Sequence, residues 1–210
     1  MHRYLVLLFA LLSSAASAQD RAGDFDYYVL SLSWSPSWCA LEGDSRASPQ
    51  CDDEADFGWV LHGLWPQNER GYPHDCRSTF AAPSRSDTSA MADIMGTSGA
   101  AWHQWNKHGV CSGLDSQDFY RLARVAYAQI TRPPVFRRLQ DSVTLPASVV
   151  EDAFLQANPG MEPDQITITC RDGYIQEARI CLTRGLELRD CGADVIRDCS
   201  MSDALLDPVR

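Results

Sequence analysis

The chain has 210 residues, 45% of them hydrophobic, and a formal net charge of −10 at pH 7. That length suits one domain with a sizeable core. The acidic balance argues against duplex-DNA and membrane-surface binding, which usually rest on a broadly basic face, so a polyanionic substrate must be gripped by a few well-placed donors and released readily.

Residues 1–18 read as a secretory signal peptide: Arg3 in a short basic start, the apolar run Tyr4–Leu12, and Ala16-Ser17-Ala18 as a small-residue cleavage site. The run is too short to span a bilayer, and nothing later approaches such a length. The expected mature chain, 19–210, is one domain, secreted or periplasmic, with no membrane partner. It is still more acidic, because residues 1–18 hold one arginine and no acid. All eight cysteines lie in it, an even set suited to disulfides in an oxidising compartment.

Phe25–Trp34 alternates as a strand, with Tyr28, Leu30, Leu32 and Trp34 on one face and Val29, Ser31 and Ser33 on the other. Ser35-Pro36 ends it, and Cys39 to Cys51 encloses a polar loop where a local bridge is expected. In Phe57–Gln67, Val60, His62 and Leu64 are expected to share one strand face, with Trp59, Leu61 and Trp65 on the other and Pro66 closing the strand. The loop 68–86 is rich in Gly, Pro, Asp and Ser and carries Tyr72, His74 and Cys76. Helical patterns follow at Thr88–Met95 and Ala100–His108. Asp115 or Ser116 can then cap a longer amphipathic helix through Ile130, with Phe119, Leu122, Ala123, Ala126 and Ile130 inward. Pro133–Leu139 and Ala147–Ala157 read as short helices. Ile166–Cys170 and Tyr174–Leu182 read as a hairpin across Arg171-Asp172-Gly173. The expected class is α+β: an antiparallel sheet, stabilised by disulfides, with helices packed to one side.

Chemistry concentrates in Trp102–Cys111, WHQWNKHGVC, which holds two of the five histidines and the only lysine. On a helix Gln104 and His108 share a face, and His103 and Lys107 share the neighbouring one, about 100° round. Gly109 offers a helix stop of the left-handed kind, and Cys111 can pin the helix end. Two imidazoles, an ammonium and an amide so grouped can hold a phosphate while moving a proton. Zinc is the rival reading for the histidines. However, His103 and His108 are five apart, no acid lies in the stretch and Lys107 would repel a cation, so neither metal nor cofactor is expected. No G-x-S-x-G elbow supports a serine nucleophile. His62 alone reads as well as a buried structural histidine. The tryptophans at 59, 65, 102 and 105 read mostly as core, with at least one free to stack on a base.

Taken together, two segments resemble the ribonuclease T2 family of secreted acid ribonucleases. LHGLWPQ at Leu61–Gln67 looks like the family's first active-site segment. WHQWNKHGVC looks like its second, usually W-x-H-E-W-x-K-H-G-x-C. YYVLSLSWSPSWC is similar to the family's first core strand and its following cysteine. The resemblance implies metal-independent transphosphorylation of single-stranded RNA, leaving a 2′,3′-cyclic phosphate and a free 5′-OH. It assigns His108 as general base and His62 as acid. Lys107 and His103 would stabilise charge on the phosphate, Trp65 would be a base platform, and Tyr72 a second. With loop logic it implies the pairs Cys39–Cys51, Cys76–Cys111, Cys170–Cys199 and Cys181–Cys191, in a monomer.

One departure sits at the centre: Gln104 stands where the family usually has Glu. A carboxylate there could orient the base and raise its pKa, whereas an amide can only hydrogen-bond. The expectation is an active enzyme with an altered rate or pH profile. The alternative is a weakened or silent member acting as a secreted binding protein, against which stands the retention of both histidines and Lys107.

Overall fold

The computed structural model describes residues 20–210, so the expected signal peptide lies outside the described residues. Six strands form one sheet: β1 (Tyr27–Trp34), β2 (Trp59–Gln67), β3 (Val143–Leu145), β4 (Ile166–Arg171), β5 (Tyr174–Leu182) and β6 (Ala204–Leu206). The strand order is β2-β1-β5-β6-β3, with β4 also on β5. All pairings are antiparallel except the short parallel contact of β6 with β5, which makes the sheet mixed. The helices are α1 (Ser35–Trp38), α2 (Arg85–Ser89), α3 (Ala92–Met95), α4 (Ser98–Lys107), α5 (Ser116–Gln129) and α6 (Ala147–Ala157). Among the described residues no helix is long and apolar enough to cross a membrane.

The local chemistry explains most boundaries. The Thr97 and Asp115 side chains accept backbone N–H groups at the starts of α4 and α5. Asp172 and Gly173 both take positive φ, 49° and 91°, which closes the β4–β5 hairpin in two residues. The expected helix over Thr88–Met95 is two short ones, parted at Ala90-Met91, and Pro133–Leu139 holds only a 3₁₀ turn at Phe136–Arg138. The segment after Ser35, expected as loop, winds through α1 into a helical turn at Cys39–Gly43, while β3 and β6 are too short to carry a readable alternation.

The main core lies between one sheet face and the helices: Leu30, Leu32, Trp34 and Ile168 meet Trp105, Phe119 and Phe154. The other face carries a small cluster of Tyr27, Val29, Cys181 and Val195. Disulfides join Cys39–Cys51, Cys76–Cys111, Cys170–Cys199 and Cys181–Cys191, the pairing that the resemblance implies. The second ties the loop after β2 to the end of the α4 segment.

β2 departs from simple alternation. Leu32 pairs with Leu61 and Ser31 with Gly63, so His62 is the extra residue of a β-bulge. Leu61 and Leu64 consequently both enter the main core, and the expected grouping of Leu64 with His62 does not hold. Pro66 does not close the strand either. It pairs opposite Tyr28 and β2 runs on to Gln67, which an edge strand tolerates.

Candidate active site

The bulge is the first device of the site, because it turns His62 out of the strand row and leaves the ring half-exposed at the surface of the sheet. Trp65, three residues on, stands edge-on to His62 with ring centroids 5.2 Å apart. Trp65 also stacks with His108, 5.1 Å between centroids and 28° between planes. One indole therefore touches both imidazoles.

α4 supplies the opposite wall. Gln104 and His108 are buried and His103 and Lys107 exposed, the two-faced pattern expected of the helix. His108 lies just past the last helical turn, with its N–H donating to the Gln104 carbonyl at 2.9 Å. The Gln104 side chain accepts the Trp65 indole N–H at 2.8 Å, so Gln104 and His108 both engage the same ring. Gly63 makes this possible, since a Cβ there would overlap both Trp65 Nε1 and Gln104 Oε1. Gly109 is not the left-handed stop expected of it. It begins a 3₁₀ turn, and its missing Cβ lets Trp105 and Phe119 approach. Trp102, which the sequence groups with the core tryptophans, is 46% exposed.

Burial pushes the His108 pKa down to about 3, and the positive charges of Lys107, His62 and His103 add to the effect. This ring is neutral throughout the mildly acidic and neutral range. His62 sits differently: its Nδ1 lies 2.5 Å from the Glu177 carboxylate on β5. Glu177 is 2% exposed and also takes the Arg179 guanidinium at 2.7 and 2.9 Å. Burial alone would raise the Glu177 carboxyl, but the His62 hydrogen bond and the charges of His62 and Arg179 outweigh it and hold it below the usual carboxylate range. Arg179 also lies over the Trp65 ring, 5.4 Å from its centroid. Sequence reading passed over both residues inside Tyr174–Leu182. The available signal was a Glu and an Arg two apart in the strand YIQEARICL, hence on one face.

All seven residues singled out in the sequence line one cavity of about 540 Å³: His62, Trp65, Tyr72, His103, Gln104, Lys107 and His108. Tyr72 is at its rim, 54% exposed and edge-on to His74. A second cavity of about 630 Å³ opens on the other side of His62, shares His103, Gln104 and Glu177, and runs toward Trp38, Arg46 and Gln50. The sole metal-like cluster among the described residues is Cys39, Asp44 and Cys51, whose two sulfurs are bonded to each other.

Solved structures with this fold include ribonucleases. The self-incompatibility-associated SF11-RNase of Nicotiana alata superposes with a TM-score of 0.65 at 20% identity, over 88% of this chain and 100% of its own. RNase NT, solved in complex with 5′-AMP, gives 0.59 at 18% identity over 89% and 100%. A "Ribonuclease" of Aeromonas hydrophila is 35% identical over the whole of both chains. Residues 25–191 match the sequence profile of the ribonuclease T2 family. The chain belongs to that family.

Proposed function

We propose that this ribonuclease T2 family member is a secreted or periplasmic endoribonuclease that cleaves single-stranded RNA by metal-independent transphosphorylation, with His108 as general base and His62 as general acid. The observation that carries the reading is the contrast between two imidazoles facing one cleft. His108 is buried among positive charges and held neutral, ready to accept a proton, while His62 stands half-exposed with its Nδ1 2.5 Å from a buried carboxylate.

In the forward reaction His108 takes the proton of the ribose 2′-OH and the 2′-oxygen attacks the adjoining phosphorus. The bond to the 5′-oxygen breaks, and that oxygen leaves with a proton from His62. The products are a 2′,3′-cyclic phosphate and a 5′-OH. Lys107 and His103 line the cleft where charge develops on the non-bridging oxygens. The need for a 2′-OH excludes DNA. The two cavities either side of His62 give room for nucleotides on both sides of the scissile bond, which supports internal cleavage. Trp65, with Tyr72 at the rim, offers aromatic surface to a base. Four disulfides and the leader-like residues 1–18 support export, as a monomer of residues 19–210.

The test is cleavage of homopolymeric RNA in EDTA by the mature protein and by His62→Ala and His108→Ala. Each variant should lose about 10²–10⁴ in rate, with cyclic phosphate ends in the wild-type products. A His108→Ala protein keeping more than about a tenth of the wild-type rate would remove the base assignment, since general base catalysis is typically worth far more. Full wild-type inactivity would leave the silent binding protein as the better reading.

A further inference from the structure

The carboxylate beside His62 is not its neighbour in the sheet. His62 stands on edge strand β2 and Glu177 on β5, with β1 between them. Two strand spacings are roughly 9.5 Å, yet the side chains meet at 2.5 Å. Three features allow the crossing. The bulge puts His62 between two cross-strand rows, Val60–Ser33–Glu177 and Gly63–Ser31–Arg179, rather than within either. On this part of its face β1 carries only Ser31 and Ser33, side chains small enough to pass over. Arg179, two residues along β5, grips the other oxygen of Glu177.

A carboxylate this deeply buried is costly, and well-packed apolar residues usually serve stability as well or better. What the arrangement does provide is a fixed ring. An ionised carboxylate only accepts hydrogen bonds, so the Nδ1 facing Glu177 must carry the proton in both charge states of His62. Nε2 is then the nitrogen that gains and loses the exchangeable proton, on the side of the ring away from Glu177.

We propose that Glu177, held by Arg179, is the positioning residue of the general acid: it fixes the Nδ1–H tautomer of His62, aims Nε2 at the leaving 5′-oxygen and stabilises the imidazolium until its proton is delivered. This rests on His62 being the acid. The other charged or titratable groups around His62 are His103 and Lys107 from α4, His108 just past it, Glu42 from the turn after α1, paired to Arg46 and Arg171, and Asp194 and Arg197 across the shared cavity. None of these bonds the ring, whose Nδ1 is held by Glu177.

Glu177→Gln keeps an acceptor of the same shape and removes the charge. The variant is to be compared with wild type on a dinucleotide, whose alkoxide leaving group needs a proton, and on a nucleoside 3′-(4-nitrophenyl phosphate), whose phenolate leaves without one. Glu177 acting through the acid predicts a loss of at least about tenfold on the dinucleotide, part of the 10²–10⁴ of general acid catalysis. It predicts less than about twofold loss on the aryl ester. Equal losses on both substrates, or none, would overturn the proposal. His62→Ala is run beside it. If that variant still cleaves the dinucleotide, the acid assignment fails and this inference with it; if it is dead while Glu177→Gln matches wild type, this inference alone fails. Should Glu177→Gln not fold by near-ultraviolet circular dichroism, imidazole ¹⁵N spectra of the wild type decide. Neutral His62 protonated at Nδ1 supports the proposal, and at Nε2 overturns it.

Discussion

Replacing Gln104 by Glu restores the residue usual at this place in the family segment that the sequence resembles, and its effect can be worked from the site. The new carboxylate would occupy a buried position beside the Trp65 indole N–H, which can donate to it as it now donates to the amide. Residues four apart on a helix hold their Cβ atoms about 5–6 Å apart. At a charge separation of roughly 6–8 Å and an effective dielectric near 20, the attraction to a protonated His108 is about 2–3 kcal/mol. That corresponds to about one and a half to two pH units at about 1.4 kcal/mol each, and desolvation of the new charge removes part of it. The His108 pKa, now about 3 through burial and surrounding cations, should rise toward its ordinary value. The acidic limb of kcat/KM, which reports the base, should accordingly move up by about one to two pH units in Gln104→Glu. Wild type should hold its activity into distinctly more acidic solution. The assay is kcat/KM against pH for both proteins on one dinucleotide, with Trp65 fluorescence as a check on the local fold. Superimposable acidic limbs would show that residue 104 does not reach the base electrostatically, and that the amide serves only to hold Trp65.

The same burial of His108 has a consequence for stability. Its folded pKa lies below the unfolded 6.5, so the stability that depends on the neutral ring is full above pH 6.5 and falls as the pH drops toward 3; by pH 4 the loss is roughly 3 kcal/mol. Urea midpoints at pH 7 and pH 4 should therefore converge less in wild type than in His108→Gln, and equal acid losses in both would contradict the burial argument. Gly63→Ala should disrupt the Trp65–Gln104 hydrogen bond at a cost of about 1–3 kcal/mol, seen as a changed Trp65 emission and a fall in RNA cleavage; unchanged emission would mean the strand simply shifts to make room. Lys107→Arg keeps the charge but exchanges a compact ammonium for a planar fork, and a clear loss of kcat on a dinucleotide is expected, whereas full activity would mean that Lys107 acts only as a distant charge.

Local signals carry a large part of this protein. The alternation of Tyr27–Trp34, the Asp115 cap on α5, the Ala147–Ala157 helix and the Asp172-Gly173 turn are decided by residues within a few positions of one another, and so they can be read along the chain. The two active-site segments are legible for the same reason: each packs its chemistry into ten residues or fewer, with Gln104 and His108 on the buried side of α4 and His103 and Lys107 on the exposed side. The sheet bulge is different. Nothing in LHGLWPQ announces that His62 is the extra residue, because a bulge is a mismatch between two strands and needs the register against Ser31 and Leu32. The ring to which Gln104 and His108 both attach comes from β2, and the partner of His62 comes from β5, 115 positions away in the chain. Glu177, between Gln176 and Ala178, looks in sequence like an ordinary polar position of a strand. Only the fold lays β1 between the two strands with serines on the near face, and only there does a buried carboxylate meet the His62 imidazole.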